Sequence, residues 1–403
     1  MKSISLTLSA IVLMICSSGL NTFAQSLKSP PYDLLIRNVS LFDGKENKGK
    51  VDIAVRNDRI IRISPRIKDL HSLNTIDGTG KYMIPGLINA HVHLWKITDL
   101  KAALQSGVFA VIDLHTSEGP DKEFRKLRDT AEYAAYYSSG YAATVPKGHP
   151  TEFFPIETIN DSVSPAQFVD HRIGNGADLI KIVSGNIRPG SLWYGNPTLN
   201  YAQIQEITQV AKSRGKMVVV HVSQIEETVK IADLGVDGFA HLWSYNDTAS
   251  DQQLKILKAK GVFIIPTALI QKRAWEIIEK TPDGKNEFKA FLSKMPIVYK
   301  EIKRVYEAGI PILAGTDPPN YGINYTDDLL AELDIYSAAG LPNIEVLKTA
   351  TGNPSAIFPF LDGAGMIKEG YKANFILLNA NPLTSLSALK DIDGIWKGGK
   401  RVR

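Results

Sequence analysis

Residues 83–94 read MIPGLINAHVHL, and this stretch decides the fold. An apolar run ends in His91-Val92-His93, the pattern of a buried strand closing on polar residues. Side chains on a strand alternate faces, so residues two apart point the same way. His91 and His93 therefore project together from the C-terminal end of the strand. Two such imidazoles suit a borderline divalent ion. His-x-His alone is a weak pattern, because two ordinary polar residues ending a strand read the same.

The same texture recurs through the middle of the chain. Candidate strands lie at 82–93, 108–114, 140–145, 178–183, 217–221, 238–241, 262–267 and 311–317. Amphipathic segments at 201–214, 224–234 and 252–259 alternate with them, the first introduced by Pro197-Thr198. Residues 271–308 exceed one connection and predict two helices. Eight strand–helix units give an α/β fold, a (β/α)8 barrel of TIM type, whose strand C-termini carry the functional groups. Strand-like segments also fill 32–81, with turns at Asp43-Gly44 and Asn57-Asp58, and return at 373–378 and 394–400. The two β-rich ends predict a small β-sandwich domain from residues 25–83 and 359–403, flanking a barrel at 84–358.

The chain has 403 residues, 44% hydrophobic and 22% charged, which is globular composition without disorder bias. Residues 1–24 read as a signal peptide: Lys2, an apolar stretch over 4–15, and a small-x-small site at Thr22-Phe23-Ala24. The stretch is too short for a comfortable transmembrane helix. An uncleaved anchor and a lipid-modified Cys16 are the alternatives; bulky Ile15 counts against the second. The expectation is an exported chain, periplasmic or secreted, with no stable membrane association after cleavage. Cys16 is the sole cysteine, so the mature chain has no disulfide, thiolate ligand or thiol nucleophile. The formal charge of +4 is spread among interspersed acids and bases, which argues against nucleic acid. A small-molecule substrate is the expected partner, with a homo-oligomer left open.

Three further strand ends are polar. His221 closes GKMVVVH, His241 closes GVDGFAH, and Asp317 closes GIPILAGTD. Any one of them reads equally as a helix cap or a satisfied polar tip. Together, in the order His-x-His, His, His, Asp, they read as a ligand set at the barrel mouth. Lys181 is a lone cation inside the apolar run of GADLIKIVSG. A buried, unpartnered lysine is costly or loses its proton. A neutral amine can take up carbon dioxide and become an anionic, two-oxygen bridge for two ions. The alternative is a lysine reaching the mouth to pair with a carboxylate.

With these segments the chain resembles the amidohydrolase superfamily, in particular a secreted branch similar to imidazolonepropionase and metal-dependent prolidases. Outside the barrel, LLIRNVSLFDG, GTGKYMIPG, TGNPSAIF, GMIKEGYKANFILLNANPL and IWKGGKRV also fit. The resemblance implies two divalent metal ions, zinc expected and manganese, cobalt or iron as alternatives. His91, His93 and Asp317 would hold the more buried ion, His221 and His241 the more exposed one, and carboxylated Lys181 would bridge them. Asp317 would shuttle the proton, with His241 as the second catalytic residue. Asn374 and Phe109-Ala110 depart from the usual pattern away from the ligands, and Pro318-Pro319 is expected to reshape the loop after Asp317.

Two divalent ions lower the pKa of a shared water and provide hydroxide near neutral pH. No serine nucleophile elbow is apparent. His149 in TVPKGHP is a candidate for holding the substrate carbonyl, Tyr194 for an oxyanion or carboxylate, and Arg188 for a carboxylate. Each reads equally as an ordinary loop residue. His115 is a lesser candidate; His71 and His171 look peripheral. The leading function is hydrolysis of an amide or peptide-like C–N bond, with Xaa-Pro dipeptides or N-acyl amino acids as typical substrates. The first alternative is a mononuclear deaminase or an imidazolonepropionase-like cyclic amide or amidine hydrolase, although His221-Val222-Ser223-Gln224 lacks the glutamate expected of a deaminase. The second is a non-catalytic metal-binding protein.

Overall fold

The N-terminal strands are β1 (Tyr32–Phe42), β2 (Asn47–Arg56), β3 (Arg59–Ser64), β4 (Ser72–Asp77) and β5 (Tyr82–Pro85). The middle of the chain supplies β6 (Leu87–Val92), β7 (Val108–Asp113), β8 (Ala135–Ser138), β9 (Ile180–Val183), β10 (Val218–His221), β11 (Gly238–Ala240) and β12 (Phe263–Ile265). The C-terminal strands are β13 (Phe375–Leu378), β14 (Ile392–Lys397) and β15 (Lys400–Arg401). This computed structural model describes residues 32–68, 71–184, 195–244, 246–280, 285, 289 and 292–403. The signal-peptide reading of 1–24, Cys16, Arg188 and Tyr194 lie outside the described residues. Within them no helix is long and apolar enough to cross a membrane.

The two ends of the chain meet in one eight-stranded sheet of order β15-β14-β13-β5-β1-β2-β3, with β4 also on β1. Strand β1 is the hub. It runs antiparallel to β2, while Leu34–Arg37 lies parallel to β4 and Ser40–Leu41 parallel to β5. A register slip between Ile36 and Val39, with Asn38 at φ 53°, lets Leu34, Ile36, Val39 and Leu41 all enter one core. That core also takes Ile53 and Val55 of β2 and Phe375, Leu377 and Trp396 from the C-terminal strands. The strands contributed by the two termini are thus hydrogen-bonded into one continuous sheet, in which β1 is shared among three partners.

The middle of the chain is mixed α/β. Strands β6-β7-β8 form one parallel sheet and β9-β10-β11-β12 another. Backbone hydrogen bonds join them on both sides. Ala143 N donates to Lys181 O (2.8 Å) and Asp178 N to Ser138 O (2.8 Å). Leu313 N donates to Ile264 O (2.9 Å), and Ala90 N to Ala314 O (2.8 Å).

Three expected strands differ in detail. The first splits at Pro85-Gly86, and β5 belongs to the outer sheet; a Cβ at Gly86 would lie 2.1 Å from the Phe109 ring. The third ends at Ser138, before Gly140 at φ 65°; only Ala143 resumes pairing, as a bridge to Ile182. The eighth, 311–317, makes an isolated bridge from Ile312 to Ile264, since Pro311 has no N–H and Asp317 has φ 60°.

Alternation sorts the parallel strands into two layers. Ile88, Ala90, Ala110, Ile112, Leu179, Val219, Ala240 and Leu313 pack together on one face. Ile180, Ile182, Val218 and Val220 pack on the other against helix residues such as Phe168, Ile204, Ile231 and Ile302. Burial on both faces is the rule for parallel strands and explains the continuous apolar runs. Helices Pro165–Gly174, Tyr201–Ser213 and Asp251–Lys260 each start in a capping box, Ser164 with Gln167, Asn200 with Gln203, and Ser250 with Gln253. The second therefore begins at Asn200 rather than at Pro197-Thr198. Among the described residues, helices Ala268–Ile278 and Met295–Glu307 occupy the two ends of the stretch 271–308, where two helices are expected, and residues 285, 289 and 292 between them are helical as well.

Glu332, on helix Asp328–Ala338, is fully buried and accepts from the amides of Ala268 (2.8 Å) and Leu269 (2.6 Å) and from Tyr336 Oη (2.8 Å). Burial raises its carboxyl to about 7. Glu332→Ala orphans two helix N-terminal amides and is expected to lower stability by about 2 kcal/mol, read from denaturant unfolding. An unchanged midpoint would contradict that role.

Candidate metal centre

Plain alternation along β6 would send His91 and His93 outward, because Ile88 and Ala90 already face the inner layer. The pairing of β6 with β7 advances three residues, Asn89 to Val92, against two, Val111 to Asp113. This bulge inverts the faces. His93 Nε2 thereby comes 2.8 Å, and His91 Nε2 3.4 Å, from Asp317 Oδ1. His221 follows inward-facing Val219 by two positions and needs no such device. His241 comes directly after inward-facing Ala240 and takes φ 77°, which places its ring 5.1 Å from that of His91 and 4.4 Å from that of His221. Ligand atoms of His91, His241 and Asp317 all lie within 4.8 Å of one another.

Asp317 is brought in by a close backbone crossing. Its amide donates to His91 O (2.8 Å), and His93 N donates to Pro318 O (2.8 Å). Gly315 makes the approach feasible: a Cβ there would stand 2.8 Å from His91 Cβ and 2.5 Å from Ile265 Cγ2. Asn89 ties the same segments through Nδ2 to Thr316 Oγ1 (2.7 Å).

Lys181 sits opposite Val219 in the β9–β10 register and is 3% exposed. Its Nζ has no hydrogen-bond partner among the described residues. Burial pulls its pKa down to about 7 against the attraction of Asp317. Burial likewise holds His91 and His221 well below the usual imidazole range, aided by neighbouring cationic groups, and takes His241 to about 3 despite Asp317. His93 is the exception: burial opposes its charge, yet Asp317 and Asp113 raise it to about 10. Burial opposes ionisation of Asp317 too, but His93 leads the groups that hold it below the usual carboxylate value.

A second ring of residues aims the ligands. His93 Nδ1 donates to His115 O (2.9 Å), and Tyr325 Oη donates to His93 O (2.5 Å). Thr267 Oγ1 donates to Pro266 O (2.8 Å), so it accepts from His241 Nδ1 (2.6 Å) and leaves Nε2 as the unprotonated nitrogen of that ring, the one that could hold an ion. Thr267 is held at φ 46°, a costly conformation for a β-branched residue. Asn320 Nδ2 donates to Asp317 Oδ1 (3.0 Å). Sequence reading missed Thr267, Tyr325 and Asn320. Thr267 alone carried a signal, as a polar residue closing the run GVFIIPT.

Of the sequence candidates, His91, His93, Lys181, His221, His241 and Asp317 converge, in the sense that the charges and rings just described act on one another. His149 lies at the edge, its ring 5.6 Å from that of His221 and its Nδ1 on Glu152. His171 pairs with Glu157 (2.8 Å), away from the cluster. The donor set fits a divalent cation: three unprotonated imidazoles beside His93, one carboxylate, and two buried nitrogens, Lys181 Nζ and His91 Nδ1, without partners among the described residues.

Residues 82–402 match the amidohydrolase family. An ochratoxinase of Aspergillus niger is 24% identical over 242 residues, 57% of this chain and 47% of that protein, so the match spans about half the relative's length. A 5-methylthioadenosine/S-adenosylhomocysteine deaminase of Thermoanaerobacter pseudethanolicus is 23% identical over 386 residues, 86% of this chain and 85% of that one. A crystal structure of a Xaa-Pro dipeptidase with methionine bound in its active site shares the fold, with a TM-score of 0.74 and 21% identity over 91% of this chain and 99% of that one.

Two outcomes follow from this geometry. Thr267→Val removes the acceptor that orients His241, and zinc affinity, measured by competition with a chelator, is expected to fall about tenfold or more. At neutral pH a cation must also displace the proton of His93, whose pKa of about 10 lies above the solution value. Zinc affinity is therefore expected to rise with pH between about 6 and about 9, with proton release on zinc addition. A flat profile would contradict this.

Proposed function

The chain belongs to the amidohydrolase family, whose members hydrolyse carbon–nitrogen bonds, and on that premise we propose that it cleaves Xaa-Pro dipeptides or N-acyl amino acids. The fold that accompanies this reading is a (β/α)8 barrel, its two parallel sheets linked through 142–144 and 311–317. The site is the mouth formed by His91, His93, Lys181, His221, His241 and Asp317. One observation carries the reading: the Lys181 amine, buried among imidazoles and one carboxylate, with no hydrogen-bond partner among the described residues. A carboxylated Lys181 bridging two divalent ions, zinc by expectation, would turn that unsatisfied amine into an anionic ligand.

Such ions supply water activation and carbonyl polarisation. The chain's own residues supply the rest. Asp317, held ionised by His93 and steadied by Asn320, accepts the proton of the attacking water and passes it to the leaving nitrogen. His241, kept unprotonated and oriented by Thr267, faces the same space as His221. His149, beside His221, is within reach to hydrogen-bond the substrate carbonyl.

The test is a library of dipeptides and N-acyl amino acids offered to metal-reconstituted protein, with metal content measured alongside. The expected result is turnover of Xaa-Pro or N-acyl substrates, about two ions per chain, and loss of metal and activity in Lys181→Ala. One ion per chain with Lys181→Ala fully active would favour a mononuclear deaminase, the activity named for the Thermoanaerobacter relative. Metal binding without hydrolysis of any amide, lactone or ester would leave a non-catalytic metal-binding protein.

A further inference from the structure

Two chains of aromatic contacts lead from the ligands to solvent. On one side His93 lies 6.1 Å from His115, Phe154 stacks on His115 (5.1 Å, 8° between planes), and Trp95 meets Phe154 edge-on (5.6 Å, 88°). On the other side His221 is followed by His149 and then Phe153, each step 5.6 Å between ring centres. The outer members stand open: Trp95 is 51% and Phe153 55% exposed. Trp95 follows the β6 end that bears His91 and His93, and Phe153 lies in the loop after β8, four residues beyond His149. Aromatic surface left in water at a site mouth is apolar area awaiting a partner.

His115 adds a polar counterpart. It is 7% exposed, and its Nδ1 accepts from the Ala142 amide (3.1 Å), so the ring proton sits on Nε2. That Nε2 is buried and has no hydrogen-bond partner among the described residues. A buried donor facing nothing calls for an acceptor.

We infer that the mouth selects substrates with an aromatic side chain beside the scissile bond, held between Trp95, Phe153 and Phe154, with His115 Nε2–H donating to a substrate oxygen. This rests on the amide-hydrolase reading and specifies its substrate class. Neither Trp95 nor His115 is a metal ligand, so substitutions there separate selectivity from metal loading.

The test compares Phe-Pro with Ala-Pro, and N-acetylphenylalanine with N-acetylalanine, on metal-loaded protein. Wild type is expected to favour the aromatic member of the active pair. Trp95→Ala is expected to lower kcat/KM for the aromatic member about threefold to tenfold, leaving the alanyl member and the metal content unchanged. His115→Leu is expected to raise KM for both members with metal retained, and His115→Gln, which keeps a donor near Nε2, to recover part of the loss. Equal rates on both members, or a preference that survives Trp95→Ala, would overturn the inference while leaving amide hydrolysis intact. If no compound is turned over, the hydrolase reading fails. Calorimetric binding of N-acetylphenylalanine against N-acetylalanine then decides separately: tighter aromatic binding lost in Trp95→Ala supports the inference, and equal binding refutes it.

Discussion

The structure turns on the burial of charge-bearing groups that cannot satisfy one another. Four imidazoles, a lysine amine and a single carboxylate share one pocket, and only Asp317 brings negative charge among them. Burial in a weakly polar interior is expensive for unpaired cations, so most of these groups give up their protons. The one that keeps its proton, His93, does so because two carboxylates flank it. The pocket is short of positive charge and rich in lone pairs, and that imbalance is what a divalent cation corrects. A cluster arranged for stability alone would pair its members instead.

The backbone is bent to make this convergence. The bulge in β6 turns His91 and His93 round, left-handed residues aim His241, Thr267 and Asp317, and Gly315 vacates the space that His91 fills. Each feature is mildly unfavourable by itself, and strain of this kind collects where geometry serves chemistry rather than folding. The scaffold that holds it is conventional: parallel strands buried on both faces, helices started by capping boxes, and one outer sheet that draws the two ends of the chain together.

Much of this was legible in the amino-acid order. Apolar runs marked β7, β9, β10 and β12, and polar residues closing β10, β11 and the run 311–317 marked His221, His241 and Asp317. Lys181 stood out as a cation inside Leu179-Ile180-Ile182-Val183, and only the histidines and aspartate at neighbouring strand ends favoured a bridging role over a lysine pairing with a carboxylate. What escaped were effects of pairing. Periodicity cannot show a bulge, so the orientation of His91 was inferred from an alternation that the strand does not keep. The third strand was placed at 140–145 because that run is apolar, although Gly140 breaks the ladder and the pairing lies at Ala135–Ser138. Nor can sequence reveal that β1 serves three neighbours, which is what joins the strands of both termini into one hydrogen-bonded sheet. Thr267, Tyr325 and Asn320 act through hydrogen bonds to residues far away in sequence, which no local pattern announces.

The crossing of 311–317 over β6 joins residues as far as 227 positions apart, as between Asn89 and Thr316. Contacts of that span form late, since the loop they close is long and its entropy must be overcome first. A nascent chain that has emerged only as far as His241 already carries every nitrogen of the cluster but not the carboxylate. Convergence of the site and attachment of 311–317 to β6 are then one event, completed by the last third of the polypeptide. A fragment ending before Asp317 therefore holds the cluster's nitrogens without the one carboxylate that sits among them.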